Sequence, residues 1–314
     1  MLALTEITSW HWAGFVLLVL LFLVVDLGVF HRKAHVIQFK EALIWTFVWS
    51  SFAMLFAGGL SMWRTKEESL EFITGYIIEL SLSMDNVFVI ALIFAYFRVP
   101  LAYQHRVLFW GILGALLMRG VMIGIGAALI QRFHWMLYVF GGFLVITGIK
   151  MVLASEDGVH PEKNPVIRLA RKLFPISSHF EDQKFFTRFD GKFAMTPLAL
   201  VLLMVETTDL VFAVDSIPAI FAVTERPFIV FTSNVFAILG LRSLYFVLAN
   251  AIGYFRFLKI GLSVVLVFIG GKMLLEPWWH IPTSNSLKVV ASIIGLSMII
   301  SIVVARKGSS KHQT

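Results

Sequence analysis

The sequence predicts an all-α membrane protein of about nine transmembrane helices, and three observations predict it. Hydrophobic residues make up 59% of the 314. They come in runs of about 20, the length that crosses a hydrocarbon core of about 30 Å, rather than in amphipathic stripes. Only one long polar stretch, 155–194, separates these runs, and it is too short and basic to bury a core of its own. One polytopic membrane domain over 1–314 is therefore expected.

The expected spans are 11–30, 42–62, 73–97, 107–130, 134–154, 195–223, 228–250, 257–276 and 287–305. The first run, Trp12 to Phe30, has no Lys or Arg before it and no small-residue cleavage site, so it reads as a retained span. With the N-terminus outside, 17 of the 26 Lys and Arg fall on the cytoplasmic side, four on the other and five within or at the ends of spans. The positive-inside rule thus predicts an external N-terminus and a cytoplasmic C-terminus. It also accounts for the net charge of +7 without nucleic acid. With no Cys, any metal must be held by oxygen or imidazole ligands. The stretch 155–194 is expected to be a solvated cytoplasmic connector with a short amphipathic interfacial helix.

The third to fifth spans resemble the sixth to eighth. "MDNVFV" (84–89) matches "TDLVFA" (208–213), "LMRG" around Arg119 matches "GLRS" around Arg242, and "GIKM" (148–151) matches "GGKM" (270–273). An odd number of spans per copy turns the second copy over in the membrane, so 73–154 and 195–276 are expected to be inverted repeats. The two N-terminal helices (11–62) and the last one (287–305) flank them. Inverted repeats are a transporter signature, with the substrate near the midplane.

Six acids lie within spans: Asp26, Glu79, Asp85, Glu206, Asp209 and Asp215. Each costs about 2.5–3.5 kcal/mol to insert. Arg119 and Arg242 are the structural counter-charges, and even one acid neutralised by each leaves several carboxylates for protons or a cation. Lys150 and Lys272 stand near span ends, where they can snorkel. Ion pairing, with hydrogen bonds from Ser81, Ser83, Thr207 and Thr208, is the structural alternative for the acids. Asp26, near a basic run, is only a possible accessory to the site.

At about 100° per residue, Glu206 and Asp209 share a face, but Asp215 lies about 180° from Glu206, and Glu79 and Asp85 about 120° apart. Pro218 is expected to break the sixth span, freeing the carbonyl of Val214 beside Asp215 and letting the acids converge. Carboxylates, the amides of Asn86 and Asn234, hydroxyls and a free carbonyl suit a hard divalent cation such as Mn²⁺, Mg²⁺ or Ca²⁺. Met84 and Met204 could add soft character, although packing is the commoner role of Met in an apolar run.

"VVDLGVF" (24–30), "GYIIELSLSMDNVFV" (75–89), "VETTDLVFAVDSIPAIFAVT" (205–224), "FIVFTSNVFAILGLRSLYF" (228–246) and "VFIGGKML" (267–274) resemble the TerC family of integral membrane proteins, on its Alx-like branch. The resemblance spans nearly the whole chain. It implies an exporter of Mn²⁺ in the bacterial cytoplasmic membrane, linked to metal and alkaline-pH homeostasis and to tellurite resistance, with a fold similar to the lysine-exporter superfamily. It places the family's acidic motif on Glu79, Asp85, Asn86, Glu206, Asp209 and Asp215. A divalent metal ion and the lipid bilayer are the expected partners, with homo-oligomerisation open and no cofactor or catalytic residue expected. A monovalent cation/proton antiporter and a non-transporting membrane subunit of a metal-stress complex remain alternatives. An aspartyl protease is disfavoured, since no Gly directly precedes these Asp residues.

Overall fold

A computed structural model describes residues 7–25, 38–153, 162, 164–177, 179–189, 192–249, 258–279 and 281–311. Among them are ten helices and one β-hairpin. The helices are α1 (Ser9–Val25), α2 (Phe39–Trp63), α3 (Lys66–Tyr96), α4 (Leu101–Arg132), α5 (Met136–Leu153), α6 (Pro165–Leu173), α7 (Pro197–Phe221), α8 (Pro227–Ala249), α9 (Leu258–Leu275) and α10 (Thr283–Lys311). Strands β1 (Phe186–Phe189) and β2 (Lys192–Met195) form the hairpin.

A helix coincides with each of the nine expected spans. Seven are long and apolar enough to cross a membrane: α2, α3, α4, α5, α7, α8 and α10. Of the other two, α1 has 17 described residues, and α9 has 18 with Lys259 and Lys272 among them.

Local chemistry explains the ends. Thr65 caps α3 by accepting a hydrogen bond from Glu68 N at 3.0 Å, the Thr-x-x-Glu pattern that starts helices. As a result α3 begins seven residues before the expected span. Pro227 opens α8, Pro197 follows the Thr196 cap of α7, and Pro165 follows the Asn164 cap of α6. Proline is favoured there because its missing N–H has no helical partner at a first turn.

Packing runs mainly between the two halves of the chain: α3 lies along α8, α4 along α7 and α5 along α9. The last pair is close because its contact is made of small residues. A Cβ on Gly270 would stand 2.6 Å from the Gly141 carbonyl oxygen, and Ser263 Oγ donates to the Gly148 carbonyl at 2.5 Å. Between apolar helices in lipid, such close approach replaces the hydrophobic effect as the driving force. Helix α8 is the hub, with nearly all of its apolar stretch buried, whereas α5 leaves most of its own exposed. Outer faces carry exposed Leu17, Phe47, Leu117, Ile146, Val211 and Ile299, as expected where acyl chains are the solvent.

The stretch expected to be a solvated connector is more structured than that. Helix α6 is the expected amphipathic helix, but it buries Ile167 and Ala170 and packs on α7. Asn164 both caps it, accepting from Val166 N at 2.9 Å, and ties it down, donating to Thr207 Oγ1 at 2.9 Å and Met204 Sδ at 3.4 Å. The sulfur of Met204 is thus engaged by packing chemistry. The hairpin pairs Phe186 with Met195 and Phe189 with Lys192, flanking the Asp190-Gly191 dipeptide in the sequence. Asp-Gly between such runs is a strong hairpin signal, one that the charge of 155–194 does not reveal.

Candidate functional site

The centre of the molecule is a buried ion-pair network that joins α3, α4 and α7. Arg119 of α4 is 2% exposed, Glu79 of α3 0%, Asn86 of α3 1% and Asp209 of α7 4%. The Arg119 guanidinium grips Asp209 twice, Nε to Oδ2 at 3.1 Å and Nη2 to Oδ1 at 2.9 Å. Its Nη1 donates to Glu79 Oε1 and to Ser216 Oγ at 3.3 Å. Asn86 donates to Asp209 Oδ1 at 2.8 Å, and Ser83 to Glu79 Oε1 at 3.4 Å. A planar guanidinium suits this work, because its fixed fork can serve two carboxylates from one centre. Arg119 therefore bonds two acids at once, although its single positive charge balances only one of them.

Other expected members stand apart from this network. Asp85, one residue before Asn86 and so rotated about 100° on α3, has Lys259 of α9 as its electrostatic neighbour. Asp215 meets the hydroxyl of Thr147 on α5. Glu206 lies against α4 where Gly114 leaves room, since a Cβ there would overlap its carboxylate. Its one electrostatic neighbour among the described residues is Asp209. Among the described residues, no group of three or more His, Asp or Glu is close enough to hold a metal.

Helix α7 accounts for part of this dispersal. It runs through Pro218 and ends at Phe221, so the expected break, with convergence of the acids around it, is not observed. Glu206 and Asp215 keep the opposite sides that an unbroken helix imposes. Val214, whose carbonyl the proline leaves without its helical donor, has an exposed side chain next to Leu210 and Val211 on the outer face. The hydroxyls expected to serve the acids mostly bond their own helix instead: Ser81 to Ile77 O, Thr207 to Leu203 O and Thr208 to Met204 O. Ser83 is the exception. Asp26 lies outside the described residues.

Arg242 of α8 meets His105 of α4, Nη1 to Nε2 at 3.2 Å. With Asn86, Asp209 and Val205 it also lines a cavity of about 20 Å³, room for one water or a bare ion. Asn86 Oδ1, Glu79 Oε2 and both amide atoms of Asn234 are buried without a hydrogen-bond partner. A water or an ion in the cavity that Asn86 lines would satisfy its Oδ1.

A second polar region was not anticipated. Where α3 begins and α7 and α9 end, a cavity of about 700 Å³ is lined by Glu67, Glu71, Glu225, Glu276, Arg226 and Lys272, among others. Thr224 donates to Glu71 at 2.7 Å and Arg226 meets the same carboxylate at 3.3 Å. Lys272 does not snorkel outward; it is 7% exposed and donates to the Ala222 carbonyl at 3.4 Å. The sequence signal for this cavity is the mixed charge of "RTKEES" (64–69) and "TER" (224–226), short inter-span stretches in which the positive-inside rule weighs only Lys and Arg.

A multi-span helical chain with this intramembrane charge network matches the family model described as "Integral membrane protein TerC family" over residues 64–311. The chain belongs to the TerC family. The TerC match begins within the α2–α3 turn and takes in every residue of the buried network. The membrane protein STKORF319 of Myxococcus xanthus is 53% identical over 295 residues, covering 94% of this chain and 92% of that one. A protein of Escherichia coli K12 described as "Putative membrane-bound redox modulator Alx" is 46% identical over 299 residues, 92% of this chain and 93% of that one. A protein of the same description from Photorhabdus laumondii is 44% identical over 312 residues, 96% and 97% of the two chains. No solved structure matches the chain. This TerC protein is accordingly a multi-pass integral membrane protein.

Proposed function

We propose that this protein is a secondary transporter that exports a divalent metal cation, Mn²⁺ above others, across the cytoplasmic membrane. One observation carries the reading. Arg119 is consumed by Glu79 and Asp209, yet Glu206 and Asp215 remain within spans with no basic partner among the described residues, and Asp85 has only Lys259 near it. Carboxylates in so apolar a setting need a proton or a cation, and intramembrane acids of this kind mark ion paths. Their oxygens, with the unsatisfied Asn86 amide oxygen, are hard donors that suit Mn²⁺ or Mg²⁺.

The packing supports inverted repeats as the mechanical basis. The sequence matches exchange α3 with α7, α4 with α8 and α5 with α9. Under that exchange the α3–α8 pairing becomes α7–α4, and α5–α9 maps onto itself; both are main contacts of the fold. The Arg119 network then ties two helices of the first repeat to one of the second. Alternating access would rock the repeats about that tie and bring the dispersed acids to the ion in turn. Export of a 2+ ion against an inward-negative potential costs about 2.3 kcal/mol per charge per 100 mV, so proton entry through the remaining acids is the natural coupling.

Mn²⁺ uptake by everted vesicles, with and without a pH gradient, tests the reading. Transport unchanged by Asp85→Asn and Asp215→Asn would overturn the site. The dispersal of the acids also favours a second reading, monovalent cation/proton antiport, which needs fewer ligands at once. Inhibition of flux by micromolar Mn²⁺ separates the two. Binding of Mn²⁺ in liposomes without flux would support a non-transporting subunit instead. If the redox role in the relatives' description extends to this chain, it acts without cysteine thiols.

A further inference from the structure

At the membrane face where α4 and α7 begin, α4 carries Tyr103, Arg106 and Trp110 at spacings of three and four, one face of the helix. The hairpin side of the fold lays aromatic rings on that face. Phe180 meets Tyr103 with centroids 6.3 Å apart, and Phe185 meets Trp110 edge-on at 6.4 Å. The Arg106 guanidinium carbon sits 5.4 Å from the Phe185 centroid.

Arg106 has no ion pair among the described residues, and its Nε is buried without an acceptor. A guanidinium held in place by an aromatic ring and lacking an anion is expensive to leave so. Phe185 and Trp110, which share that face with Arg106, also wall an apolar groove, and a second hollow shares lining residues with it. One, of about 330 Å³, is walled by Trp110, Phe185, Ala199 and Leu202; the other, of about 410 Å³, by Leu169, Leu173 and Phe193; Phe186, Met195 and Leu203 belong to both. Trp110, Phe186 and Phe193 are 43%, 49% and 55% exposed.

We propose that this groove is a binding site for an anionic phospholipid, whose headgroup phosphate pairs with Arg106 and whose acyl chain lies on Trp110, Phe186 and Leu203. Charge complementarity and position select this occupant. The groove opens at the ends of spanning helices, where exposed aromatics mark the headgroup level, and an unpaired guanidinium near an apolar trough favours a lipid of net negative charge, whose phosphate has no cation of its own. A bound lipid would brace the α6–hairpin unit against α4 and α7.

The test is native mass spectrometry of the detergent-purified full chain with phosphatidylglycerol and phosphatidylcholine at equal concentration. Retention should favour phosphatidylglycerol by about fivefold, the effect of one basic residue at an anionic surface. Arg106→Gln should bring the ratio close to one, Arg106→Lys should keep most of it, and Arg132→Gln at the other end of α4 should leave it unchanged. Trp110→Ala should weaken both lipids alike. Equal retention by the unaltered protein, or a preference that survives Arg106→Gln, would overturn the proposal. Displacement of the lipid by glycerol phosphate alone would also overturn it, because the site would then be a simple anion site with no use for the groove.

Discussion

Arg119 holds Asp209 through two parallel hydrogen bonds, 3.1 Å and 2.9 Å, between helices whose residues are 90 positions apart in the chain. The same guanidinium closes on Glu79, so three charges and one amide, Asn86, form a single buried unit. Its importance to folding follows from what each partner would become alone.

Removing Arg119 leaves two carboxylates facing each other in a dry interior. Arg119→Met should cost about 3–5 kcal/mol, the range for breaking one side of a buried ion pair. Arg119→Lys should recover only part of this, because an ammonium cannot span both acids with fixed geometry. Thermal unfolding in detergent, read as the midpoint and the fraction of monodisperse protein, measures both.

Asp85 and Asp215 should behave in the opposite way. Neither belongs to the Arg119 network, so Asp85→Asn and Asp215→Asn should leave the midpoint little changed while reducing Mn²⁺ flux at least tenfold. Asp209→Asn should lower both, because it loses charge-assisted bonds worth about 1.5–3 kcal/mol each. Flux and midpoint measured on the same preparations separate ion handling from folding.

The α5–α9 contact offers a matched pair of neighbours. A Cβ at Gly270 meets the Gly141 carbonyl and Val145, whereas one at Gly271 meets nothing within 4 Å. Gly270→Ala should destabilise by about 1–3 kcal/mol through overpacking. Gly271→Ala should be neutral or stabilising, since Ala is the better helix former by about 1 kcal/mol. Unfolding midpoints that move together for the two variants would contradict the close crossing.

Gly114 gives access to Glu206 without changing its charge. Gly114→Ala puts a methyl group where the Glu206 carboxylate lies, so that side chain must swing away from α4. If Glu206 takes part in transport, flux should fall several-fold with little loss of stability, and the further change Glu206→Asp, which shortens the side chain, should restore part of it. Parallel flux and midpoint measurements on the single and double variants check this.

Much of the architecture was legible in the sequence because a bilayer permits few solutions. Runs of about 20 apolar residues must be helices there, as backbone groups have no other partner, and the helices coincide with the expected spans. The cost of intramembrane charge likewise singled out Glu79, Asp85, Arg119, Glu206, Asp209 and Asp215 before any contact was known. Helix starts at Thr65 and the Asp190-Gly191 hairpin were written in local patterns as well, although hydropathy and charge alone do not reveal them.

Which charges meet is a different kind of question, since it depends on where separate helices cross and how each is rotated. Only the tertiary structure assigns both Glu79 and Asp209 to Arg119, turns Arg242 toward His105, and sets Asp85 near Lys259. Only it keeps α7 helical through Pro218, because neighbouring helices hold the segment around one missing hydrogen bond, so the acids of that helix stay on separate sides. Composition and periodicity determine that this chain spans a membrane and carries charge within it. Interhelical packing, to which residues far apart in the chain contribute, decides which of those charges are tied and which are left to meet an ion.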